Sequence, residues 1–167
     1  MIVYAQYRNT VSSKKNGVWL DLTIRHPNRD LTSIAKAVGI KPWLIAKKGE
    51  VTGPIKWKHS VWTGLVAEGT TARAYERGLQ KVYDLTLKHS SLFNEIAADG
   101  EIELTINQNV ASDDGLVLRL SVYPEFLAAL SASQIALRIC GWSRTKKDAS
   151  VGIRLKTKSA RRAQASK

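Results

Sequence analysis

The stretch Glu101-Ile102-Glu103-Leu104-Thr105-Ile106-Asn107, resumed at Leu116, Leu118, Leu120 and Val122, decides the fold class. Ile102, Leu104 and Ile106 alternate with polar neighbours, the period of a strand with one buried face. Asp113-Asp114-Gly115 between the two runs supplies turn chemistry, so the segment reads as a β-hairpin. The same alternation appears upstream, where Val18, Leu20, Leu22 and Ile24 share one face of a strand over Gly17 to Arg25. Trp19 lies on the polar side of that strand, which suggests that this second face is covered as well. Met1 to Arg8 reads as a further strand, joined to it by a polar loop.

Helical patterns fall between these strands. After Pro27, a helix is expected from an Asp30 N-cap to Gly39, with Leu31, Ile34 and Val38 on one edge. Ile40 to Pro54 reads as a lysine- and glycine-rich loop, and Ile55 to Val66 as one strand with Trp57 and Trp62 on opposite faces. Gly69-Thr70-Thr71 opens the longest helix, to about Lys88, with Tyr75, Leu79, Val82 and Thr86 along one side. Gly78 within it costs up to ~1 kcal/mol against alanine, which implies close packing there. A short helical turn over Leu92 to Ala98, a helix from Pro124 to Leu130 and a strand at Ile135, Leu137 and Ile139 complete the body. Val151, Ile153 and Leu155 alternate once more. The expected architecture is a single α+β domain: a mostly antiparallel sheet with about three helices packed on it.

The length of 167 residues suits one domain with a real core, and 44% hydrophobic content agrees. Residues 1–143 are read as the globular domain and 144–167 as a basic C-terminal end that can include a last strand at 151–155. The formal charge is +12, and nine basic residues against Asp148 alone lie between Arg144 and Lys167. A lone cysteine, Cys140, precludes a disulfide framework within the chain and suits a reducing compartment. The sequence offers no apolar run of membrane-spanning length and no secretion-type start, so a cytoplasmic location is expected.

The run Asp30-Leu31-Thr32-Ser33-Ile34 through Val38-Gly39-Ile40-Lys41-Pro42, then Lys47-Lys48-Gly49-Glu50, then Ser60-Val61-Trp62, carries a resemblance. With the closing strand, short helix and strand of Leu116 to Ile139, this order resembles a bacterial family of unknown function (domain of unknown function 4279) over roughly Val3 to Arg138. The resemblance implies a small, non-enzymatic α+β domain, and some neighbouring families of this style are immunity proteins against bacterial toxins.

Residues that could carry chemistry are few. His26, His59, His89 and Cys140 have no metal-ligand spacing, and no nucleophile elbow or phosphate loop occurs, so no catalytic residue, metal or cofactor is expected. Asp113-Asp114 is explained by a turn, and Glu101 with Glu103 reads as an exposed strand face. Trp43, Trp57 and Trp62, interleaved with Lys47 and Lys48 and further lysines, suit a protein-binding surface with aromatic anchors. The first functional expectation is therefore a non-enzymatic domain of bacterial or phage origin that sterically blocks one protein partner, such as a toxin. The alternative is nucleic-acid binding through Arg144, Lys146, Lys147, Arg154, Lys156, Lys158, Arg161 and Arg162 together with the Trp/Lys segment. An enzyme of unrecognised type stands third.

Overall fold

A computed structural model describes residues 17–110, 122–143 and 151–155. In chain order its elements are β1 (Gly17–His26), α1 (Ile34–Val38), β2 (Pro42–Ala46), β3 (Val51–Thr52), β4 (Ile55–Lys56) and β5 (Ser60–Gly69). There follow α2 (Ala72–Lys88), α3 (Ser90–Asp99), β6 (Glu101–Val110), α4 (Pro124–Ala132), β7 (Ile135–Ser143) and β8 (Val151–Leu155). Six strands form one sheet in the order β2-β5-β1-β6-β7-β8, and β3 with β4 makes a separate two-stranded ribbon. Every neighbouring pair is antiparallel except β6 and β7, which run parallel. The class is α+β, with four helices among the described residues.

β1 sits inside the sheet because its two faces both find cover. Val18, Leu20, Leu22 and Ile24 are at most 4% exposed and share a face with Trp62 of β5 and with Ile102, Leu104 and Ile106 of β6. All four helices add to this one core: Ile34 and Val38 from α1, Leu79 and Val82 from α2, Phe93 and Ile96 from α3, Phe126 and Leu130 from α4. α2 begins where the Thr71 hydroxyl accepts the Ala74 N–H at 3.2 Å, an N-cap that satisfies one orphan donor. Its buried residues Tyr75, Gly78, Leu79, Val82 and Thr86 follow the helical period. At Gly78 an added Cβ would lie 2.8 Å from the Ala67 Cβ on β5 and 3.4 Å from Leu20, so the missing side chain sets how closely α2 lies on the sheet. α4 starts with proline at its first turn and lies between β6 and β7 in the chain, the intervening element that two parallel neighbours need.

Several expectations are corrected. The first helix starts at Ile34 rather than after Asp30, because the Asp30 carboxylate accepts the Thr32 N–H at 2.9 Å and closes an Asx turn instead. Gly39 ends it as expected, at φ 66°. The supposed loop at Ile40 to Pro54 contains β2 and half of the ribbon. The supposed strand Ile55 to Val66 is two elements: β4 pairs with β3 across the turn at Gly53 (φ 57°), whereas β5 starts at Ser60 and pairs with β1 and β2 in the main sheet. β6 has β1 along one edge and β7 along the other, so over residues 102–109 the sheet leaves it no free edge for a hairpin partner. The expected second arm lies outside the described residues except for Val122, as does the expected strand Met1 to Arg8. β8 pairs with β7 as the alternation at 151–155 implies.

Candidate functional site

The tryptophan- and lysine-rich segment does not act as one surface. Trp62 is fully buried among the core side chains, and Gly64 makes room for it: a Cβ there would come within 2.6 Å of both the Trp62 ring and Ile40. A surface role for Trp62 is thereby overturned. Trp57 is half-buried and its Nε1–H donates to the Thr52 hydroxyl at 3.2 Å, which braces the ribbon. The Trp57 amide donates to the Glu50 carbonyl at 2.9 Å, and the Trp57 carbonyl accepts the Gly49 N–H at 2.7 Å.

Trp43 remains at the surface, 38% exposed, in the outermost strand β2. Ile45 is 40% exposed in the same strand and lies opposite Trp62, hence on the helix-covered side. Trp43 reaches the other side, where its Nε1–H donates to the Asp21 carboxylate at 3.1 Å. The two apolar side chains therefore straddle an edge that pairs with β5 on one side and with no strand on the other among the described residues. Val51, 66% exposed, follows across the Lys47–Glu50 turn.

Lysines frame this edge. Lys41, Lys47, Lys48, Lys56 and Lys58 are all exposed, with Glu50 the one acidic residue between positions 41 and 58. Two of them also have structural partners. The Lys47 ammonium lies 2.9 Å from the Asp30 carboxylate and, with the Thr32 N–H, holds that carboxyl down at about 2. The Lys48 ammonium donates to the Asn28 amide oxygen at 2.9 Å, and its backbone N–H to the Ser60 hydroxyl at 3.3 Å. Lys47 and Lys48 thus tie the β2–β3 turn to the loop after β1 while keeping their charge at the surface.

Behind Trp43, the sheet face away from the core helices carries a buried polar network that the sequence reading missed. Asp21 is 6% exposed and accepts from the Asn107 amide at 3.1 Å as well as from Trp43. Thr23 donates to Thr63 at 3.2 Å. Glu103, expected to be exposed, is 4% exposed: Arg138 of β7 pairs with it at 2.9 Å, and the Thr105 hydroxyl donates to it at 3.2 Å. Only Glu101 of the two glutamates is at the surface, 4.0 Å from the Arg25 guanidinium. The hydroxyl and amide residues Thr23, Thr63, Thr105 and Asn107, in place of lysines and glutamates, were the available signal that this face is covered. Each carboxylate here is engaged by a neighbouring strand, an arrangement that fixes strand register and orients the Trp43 ring.

The remaining chemistry-bearing residues stay apart. His26 accepts the N–H groups of Asn28 and Arg29 on Nδ1, at 3.1 and 2.8 Å, and so shapes the strand exit as its position suggests. Burial pushes the half-buried Cys140 thiol up, against a smaller opposing effect of Arg138. Among the described residues no three His, Cys, Asp or Glu side chains converge as metal ligands, and no helix is long and apolar enough to cross a membrane. The described segments hold 14 of the 26 basic and 11 of the 14 acidic residues, so most of the +12 charge lies elsewhere in the chain. Of the residues named for nucleic-acid binding, Arg154 lies in β8, while Arg144, Lys146, Lys147, Lys156, Lys158, Arg161 and Arg162 lie outside the described residues.

The chain matches no family model, no curated protein and no solved structure.

Proposed function

We propose that this chain is a non-enzymatic protein-binding domain that blocks its partner sterically, as an immunity or inhibitor protein does, and that β2 is its docking edge. The observation that supports this most is the exposure of two large apolar side chains, Trp43 and Ile45, on the outermost strand among the described residues. Apolar side chains of this size at the surface suit anchors for a protein partner. The neighbouring lysines favour a partner of opposite charge, which packs apolar groups on Trp43 and Ile45 and places acidic side chains near Lys41, Lys47 and Lys48. Trp43 is pre-positioned by Asp21, which lowers the ordering cost of an aromatic anchor. The motif order that resembles the bacterial family points the same way.

The test is titration of the full chain with a short peptide of alternating valine and glutamate, followed by amide NMR. Shifts should concentrate at residues 42–46, with slowed hydrogen exchange there, and should weaken as salt rises. Ile45→Glu should abolish the binding while the fold is kept at some cost in stability, which thermal melts check. Trp43→Ala should weaken it severalfold. Shifts that map elsewhere, or binding indifferent to Ile45→Glu, refute the assignment of β2 as the docking edge.

A further inference from the structure

A second site lies on the opposite layer, between α2 and α4. Glu76, Leu79, Gln80 and Tyr83 from α2 meet Tyr123, Glu125 and Phe126 at the start of α4 around a cleft of about 290 Å³. That volume falls just below the range of about 300–1,000 Å³ typical of small-molecule pockets, so it suits a single side-chain-sized group. Its lining is unusual for this protein: three aromatic rings and two carboxylates, with no lysine or arginine, in a chain that carries 26 of them.

The carboxylates are uncommitted. Neither Glu76 nor Glu125 has an ion pair or hydrogen-bond partner among the described residues, and both are exposed. Gln80 spends its amide N–H on Asp84 at 2.8 Å, which leaves its carbonyl oxygen as an acceptor. Tyr123 is 55% exposed and Tyr83 half-buried, so ring surface is presented at the cleft rather than consumed by the core. The Tyr75 hydroxyl, close by, is pushed up to about 12 by burial and by Tyr123, and adds no charge of its own.

We propose that the cleft between α2 and α4 is a binding site for an arginine-type guanidinium, held between the Tyr83 and Tyr123 rings and the Glu76 and Glu125 carboxylates, with the buried Phe126 as its floor. A planar, weakly hydrated guanidinium stacks on aromatic faces and donates forked hydrogen bonds to carboxylates at the same time. A compact ammonium satisfies the carboxylates but stacks less well, and an anion meets only repulsion. The site shares no residue with β2 and attracts the opposite charge.

The probe is N-acetylarginine amide, titrated into the full chain by amide NMR, with the citrulline analogue as the uncharged isostere and butylammonium as the unstacked cation. The expected result is saturable binding with shifts at residues 76–83 and 123–126, weaker binding of butylammonium, and none of the citrulline analogue. The double variant Glu76→Gln/Glu125→Gln should lose about five- to tenfold in affinity, and Tyr123→Ala about two- to fivefold. All three residues are exposed, so the variants should keep the fold, which thermal melts check. Equal binding of the citrulline analogue, full affinity in the glutamine variant, or no saturable binding at millimolar concentration overturns the proposal.

Discussion

Gly78→Ala sets two effects of similar size against each other, and the structure decides between them. An alanine in the middle of an exposed helix would gain up to ~1 kcal/mol from helix propensity. Here the new methyl would lie 2.8 Å from the Ala67 Cβ, where carbon pairs sit best at about 3.5–4.0 Å. Relief by rotamer change is impossible, because both groups are bare methyls fixed to backbone. α2 must therefore back away from β5 by most of an ångström, which loosens Leu79 and Val82 against the sheet as well. Overpacking of this kind costs about 1–3 kcal/mol, so the net effect should be a destabilisation of about 1 kcal/mol. With a urea m-value of about 2 kcal/mol/M for a domain of this size, the midpoint should fall by about 0.5 M. Ala67→Gly removes the opposing methyl, so the double variant should recover part of the loss, a coupling of about 1 kcal/mol in the cycle. A raised midpoint in Gly78→Ala, or no coupling to Ala67→Gly, would refute the claim that this glycine sets the helix-to-sheet distance.

Other expectations follow from the same contacts. Asp30 is held at about 2 against an ordinary 3.8, so its contribution to stability is complete above about pH 4 and fades as pH falls toward 2; carboxyl NMR titration should show this, and Lys47→Gln should move the value back up. Trp62→Ala should cost ~3–5 kcal/mol in denaturant melts, whereas Trp57→Ala should cost clearly less, because only the first ring is wholly enclosed. Glu103→Ala should cost about 2–3 kcal/mol, short of a fully buried pair since Arg138 keeps 22% of its side-chain exposure, and Glu103→Leu/Arg138→Leu should recover most of it. Cys140, with its thiol pushed up by burial, should react with iodoacetamide near neutral pH more slowly than a free cysteine does, and unfolding should remove the difference.

The candidate site was legible only in part. Trp43, Lys47 and Lys48 were singled out by composition, and the structure leaves them at the surface. Trp62 stands in the same lysine-rich context yet belongs to the core, because Gly64 two residues on opens the space its ring fills. Neither neighbour betrays that by residue type alone. Asp21 and Glu103 look like ordinary outward positions of amphipathic strands, and their burial depends on Asn107, Trp43 and Arg138 arriving from other strands. The α2–α4 cleft joins residues 40 or more positions apart, so no local pattern announces it.

What the amino-acid order determined by itself is the set of strongly periodic elements: β1, α2, α4, β7, β8 and the first arm of the central hairpin reading, now β6. In each, a regular period of apolar residues marks one face, and in β1, α2, α4, β6 and β7 burial agrees with it. Only the tertiary structure decided which strands neighbour one another. The parallel pairing of β6 with β7, the place of β2 beside β5 and the split of Ile55 to Val66 between Lys56 and Ser60 all rest on long-range contacts. A strand's alternation states that it has an inner face; it does not state whose backbone completes its hydrogen bonds, and that choice is settled by packing across the whole sheet.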